Sequence, residues 1–150
     1  MEVSRDYKDL FKILNRYRVA YIVVGAYAVA YYTEPRFTKD LDIWVNPTAS
    51  NGQRVYNALK GFGAPLKGMK PDDFTKKEMI YQIGVVPIRV DIMMDLAGID
   101  FGAAWKNRRR SWYGGARINI LGLNELKISK KRFGRKEDIF DLERLKTRKR

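Results

Sequence analysis

The chain has no cysteine and no histidine. The first absence rules out a disulfide framework, a thiolate metal site and a cysteine nucleophile. The second rules out Ser-His-Asp and Cys-His catalysis and the usual imidazole zinc sites. Carboxylates, Lys, Arg, Tyr and backbone groups remain, so any metal held here is a hard cation bound through oxygen. A long apolar run is also missing. Residues 19–32 come nearest, at fourteen residues, whereas a membrane span needs about twenty. Lys8, Lys12, Arg16 and Arg18 precede that run as they would in a signal peptide, but Glu2, Asp6 and Asp9 dilute the positive region. A cytoplasmic protein with no membrane partner is expected.

The 150 residues are 45% apolar, enough for one domain with a real core over 1–150, and no repeat or low-complexity linker divides them. The net charge of +13 is uneven: residues 1–105 carry a net +2 and residues 106–150 a net +11. The excess sits in "KNRRR" at 106–110, "KISKKRFGRK" at 127–136 and "RLKTRKR" at 144–150. Such a basic region, with its helical part at about 122–150, attracts polyanions such as RNA or nucleotide phosphates. A solvated, highly charged surface accounts for it equally well.

Periodicity predicts an α+β chain. Tyr7, Leu10, Phe11, Leu14 and Tyr17 mark a helix from 4 to 17, and "VAYIVV" a buried strand ended by Gly25. "AYAVAYY" continues as a short helix stopped before Pro35, and "KDLDIWV" is a second strand. Thr48 or Ser50 caps a helix running to about Lys60. "EMIYQIG" and "IRVDIMM" read as a hairpin around Val86-Pro87, "DFGAAWKNRR" as a short helix, and "SWY" and "ARINI" as strands around Gly114-Gly115. Two helices, "LNELKISKKRF" and "RKEDIFDLERLK", are separated by Gly134, where a left-handed cap is expected.

The most informative stretch is "VVGAYAVAYYTEPRFTKDLDIWV", residues 23–45. Alternation along a strand sends Asp40 and Asp42 to one face, roughly 7 Å apart, and Leu41 and Ile43 to the core. Two like charges among buried residues raise each other's pKa and cost stability, so they ask for a cation. Asp91 in "IRVDIMM" is a third acid in an apolar strand. Were the two strands side by side, three carboxylates would converge, a donor set suited to one or two Mg²⁺ ions. At Val24-Gly25-Ala26 a strand turns into a helix, where a glycine and free N–H groups can receive a phosphate.

These residues resemble the nucleotidyltransferase signature hG[GS] followed by [DE]h[DE]h, and "IRVDIM" resembles its third-carboxylate strand. The chain looks most like minimal bacterial and archaeal proteins related to AbiEii-type toxins of toxin-antitoxin systems, whose Lys, Gly-Arg and Asp ending recurs as Lys130, Gly134-Arg135 and Asp138. The resemblance, over about residues 4–146, implies a polymerase-β-like nucleotidyltransferase fold: a mixed or antiparallel sheet flanked by helices, with a C-terminal helical pair. It implies that Asp40 and Asp42 hold Mg²⁺ and the nucleoside triphosphate (NTP). Asp91 would complete the metal site and take a proton from the attacking hydroxyl. Gly25, Ala26, Lys39 and Lys130 would face the nucleotide, and Arg135 and Asp138 would brace the C-terminal helices. Ala26 departs from the pattern, since no hydroxyl stands where Ser or Gly is usual.

Plainer readings exist for each residue. Asp40 and Asp42 could be salted by Lys39 and Arg36, Asp91 could pair with Arg89, and Lys130, Arg135 and Asp138 could be ordinary surface pairs. Tyr27 or Tyr31 could stack on a base or simply pack. Three functions compete. The first is transfer of a nucleoside monophosphate (NMP) to RNA (such as a tRNA 3′ end) or to a partner protein, a chemistry that would also suit the toxin of a pair with a cognate antitoxin. The second is an inactive RNA- or partner-binding module of the same fold. The third is a metal nuclease using "ELK" at Glu125–Lys127, which requires those residues on a strand, whereas their surroundings predict a helix.

Overall fold

The computed structural model describes residues 5–34, 40–85, 88–148 and 150. In chain order the elements are α1 (Arg5–Arg16), β1 (Tyr21–Val24), α2 (Gly25–Tyr32), β2 (Asp40–Val45), α3 (Ala49–Phe62), β3 (Ile80–Val85), β4 (Ile88–Met93), α4 (Phe101–Lys106), β5 (Arg109–Tyr113), β6 (Ala116–Ile120), α5 (Leu123–Phe133) and α6 (Lys136–Lys146). A 3-10 turn over Pro71–Thr75, which periodicity does not reveal, packs against α3.

The strands form one six-stranded mixed sheet in the order β3-β4-β2-β1-β6-β5. β1 and β2 are antiparallel, whereas β2 and β4 run parallel with Asp42 opposite Asp91. Two groups of helices flank it: α1 with α3, and α2 with α5 and α6. Leu41, Ile43 and Val45 are fully buried, as alternation on β2 requires, and each such side chain contributes about 1.5–3 kcal/mol of burial.

Local chemistry explains several boundaries. Thr48 caps α3 by accepting the Asn51 N–H, and Asp100 caps α4 by accepting the Ala103 N–H. Asn51 in turn accepts the Ala20 N–H and donates to the Ala20 and Asn46 carbonyls, so the start of α3 is tied to β1 and β2. Gly114 and Gly115 both have positive φ, the requirement of a tight two-residue hairpin, and Gly134 closes α5 in the left-handed region as expected. The Tyr7 hydroxyl donates to the Arg89 carbonyl and ties α1 to β4. Lys39, Arg36 and the Val86-Pro87 turn lie outside the described residues. Among the described residues no helix is long and apolar enough to cross a membrane.

Candidate active site

β2 and β4 deliver the three acids. Their parallel register sets Asp40 beside Arg89 and Asp42 beside Asp91. One carboxylate oxygen from each of Asp40, Asp42 and Asp91 falls within 4.8 Å of the other two. β1 ends against this group. Val24 pairs with Asp42, and Gly25 follows at φ +68°. A Cβ at position 25 would lie 2.9 Å from Cγ of Asp42, so the glycine makes room for the carboxylate as well as for the turn into α2.

These groups line a cavity of about 540 Å³, open to solvent, that one face of α5 also lines, through Leu126, Ser129, Lys130 and Phe133. Arg89 and Arg135 also line it, together with Lys77, Glu78 and Asp95. Burial pushes the Asp42 carboxyl up to about 6, and repulsion from Asp91 and then Asp40 adds to this, while Lys130 and Arg89 oppose it. Asp91 is held by Arg89, Nε to Oδ1 at 3.2 Å and Nη2 to Oδ2 at 3.0 Å. That pair is the plainer reading of Asp91, and it coexists with the cluster. One arginine does not neutralise three carboxylates. The hard oxygen donors and the unrelieved charge on Asp42 fit a divalent cation held by Asp40, Asp42 and Asp91.

A second cluster is built around Lys130. Lys130 Nζ lies 3.0 Å from Asp141 and 3.4 Å from Asp138, and all three are buried. Asp138 also accepts from the Arg135 N–H at 3.1 Å and from Arg135 Nε at 2.7 Å, closing the start of α6. Burial acts to raise Asp138, but the Arg135 hydrogen bonds and the Lys130 charge outweigh it and hold the carboxyl below its ordinary value. Lys130, Arg135 and Asp138 are therefore no mere surface pairs.

Ala26 sits in the first turn of α2, and the cavity lining includes Gly25 but not Ala26. Lys39 lies outside the described residues. Asp141 escaped sequence reasoning, although its position one turn after Asp138 on α6 was a signal. Glu125–Lys127 lie in α5, with Glu125 buried and accepting from Asn107, so the nuclease reading loses the strand it needs.

No family model matches the chain, and neither does any curated protein. The solved structures that share its architecture include two nucleotidyltransferases. One is a candidate nucleotidyltransferase of Thermotoga maritima, TM1012, at TM-score 0.61 and 19% identity, covering 93% of this chain and 89% of that one. The other is the lincosamide antibiotic adenylyltransferase LnuA with lincomycin bound, at TM-score 0.51 and 18% identity, covering 97% and 98%.

The fold is the polymerase-β-like nucleotidyltransferase fold.

Within this nucleotidyltransferase fold the acids occupy two parallel central strands, and α5, which lines the cavity, packs against α6. The expected mixed sheet with a C-terminal helical pair is what the structure has.

Proposed function

We propose that the chain is a Mg²⁺-dependent nucleotidyltransferase that moves an NMP from an NTP to a hydroxyl acceptor. The observation that carries this reading is the meeting of Asp40, Asp42 and Asp91 in the lining of a cavity that Lys130 also lines, near enough for its charge to lower the Asp42 pKa. In this reaction the acceptor oxygen bonds to the α-phosphorus, the bond from that phosphorus to the bridging oxygen breaks, and pyrophosphate leaves. Mg²⁺, when bound by the three aspartates, supplies charge neutralisation and polarisation of the phosphate oxygens. Lys130 binds the triphosphate, and its two aspartate partners fix its ammonium. Gly25 keeps Asp42 in place. Asp91 receives the hydroxyl proton, for which Arg89 gives up one of its two hydrogen bonds. Positioning and charge supply most of the catalysis.

RNA is the acceptor that the charge favours, because residues 106–150 carry a net +11. The resemblance to AbiEii-type proteins adds the toxin of a cytoplasmic toxin-antitoxin pair as the biological setting, with a cognate antitoxin as partner. The decisive experiment incubates the protein with Mg²⁺, an α-labelled NTP and RNA. Label passes to RNA with the wild type and is lost with Asp42→Ala. Transfer that survives Asp42→Ala removes the site, and RNA shortening without any NTP turns the assignment to a nuclease.

A further inference from the structure

The geometry points to Phe133 as the platform on which the base of the nucleotide stacks, an inference that rests on the proposed NTP site and adds a residue to it. Phe133 ends α5 and lies in the cavity lining on the same helix face as Leu126, Ser129 and Lys130. Positions 126, 129, 130 and 133 recur at helical spacing, so the four side chains share one face of α5. Lys130 is the cation of that face whose charge Asp42 feels. Phe133 stands one turn further on, about 4.5 Å along the axis at the helical rise. A nucleotide whose triphosphate lies between the aspartates and Lys130 has Phe133 within its reach in the same cavity.

The chemistry at that end suits a planar ring. Phe133 is 47% exposed and, among the described residues, is the aromatic side chain that lines this cavity. Tyr27 is buried, its ring centroid 5.8 Å from that of Tyr113. Tyr31 carries Arg150 at 4.4 Å from its ring centre. Neither tyrosine lines the carboxylate cavity. The Arg135 guanidinium lies 5.2 Å from the Phe133 ring centre and is itself fixed by Asp138, so the platform has a defined position and a positive neighbour. Met93 and Leu96 add apolar lining beyond Asp91. A base between these groups would cover surface that water now wets. Stacking on an aromatic ring accepts every base, which makes the predicted site tolerant of base identity.

The test measures binding of MgATP and of Mg-tripolyphosphate to the full chain by calorimetry, for the wild type, Phe133→Ala and Phe133→Trp. Phe133→Ala should weaken MgATP about tenfold or more while leaving tripolyphosphate unchanged, and Phe133→Trp should retain MgATP affinity. Thermal unfolding should match across the three proteins, because the ring is half exposed. Unchanged MgATP affinity in Phe133→Ala, or an equal loss for both ligands, overturns the platform and leaves the nucleotidyltransferase reading standing. A wild type that binds neither ligand removes both.

Discussion

Asp42 and Gly25 occupy one space: the carboxylate of the first sits where a side chain on the second would begin, at a backbone φ of +68°. Gly25→Ala therefore has two effects that separate experimentally. The left-handed backbone costs about 1–2 kcal/mol of stability, read by chemical denaturation. The displaced carboxylate removes label transfer altogether, beyond anything that loss of folded protein explains. Full transfer by a folded Gly25→Ala protein would show that the Asp42 position is not needed.

The raised pKa of Asp42 predicts a pH dependence of stability. Its folded value of about 6 lies above the ordinary 3.8, so the folded protein binds the extra proton between those values. Stability from this group is therefore fully present below about pH 4 and is lost as pH rises through 6, by roughly 3 kcal/mol in all. Thermal unfolding of the metal-free protein from pH 4 to 7, compared with Asp42→Asn, isolates the effect. The wild type should lose stability relative to the variant as pH rises, and parallel curves would contradict the burial of that charge.

Arg89 restrains Asp91 when no cation is bound. Arg89→Ala leaves three carboxylates facing one another and removes one of the two cations, Arg89 and Lys130, that lower the Asp42 pKa, so the variant should unfold more readily without metal and gain more from added Mg²⁺ than the wild type does. Absence of Mg²⁺ stabilisation in both proteins would show that the cluster does not bind the ion, and equal stabilisation that Arg89 does not compete with it.

Asp138 is fully buried and serves Lys130 and Arg135 together. Asp138→Ala takes from a buried ammonium one of its two carboxylate partners, leaving Asp141, and opens the start of α6, which should cost about 3 kcal/mol in denaturant unfolding. A loss below about 1 kcal/mol would return the cluster to the class of exposed pairs.

RNA binding has its own check. Reversing Lys127, Lys131 and Lys136, which spares Lys130 and Arg135, should weaken RNA affinity and flatten its dependence on salt, with the logarithmic slope falling by about one for each phosphate that the protein no longer neutralises. Affinity that does not move would leave the basic region as solvated surface.

Much of this was legible in the chain itself. The Asp-x-Asp alternation, the glycine turn and the Gly134 cap are local rules of backbone geometry, and a sequence states them directly. The Asp91 strand was legible as an acid in an apolar run. Three-dimensional packing alone decided that β4 lies parallel to β2 with Asp91 opposite Asp42, because strand order follows from the crossover of α3 and the 3-10 turn and not from any pattern within a strand. Packing likewise brought Asp141 to Lys130 and Phe133 into the lining of the cavity, since contacts between helices depend on how α5 and α6 dock. The sequence by itself determined which residue types were available and which side of a strand they take; the tertiary structure decided which of them meet, because proximity across elements is set by burial of the whole core.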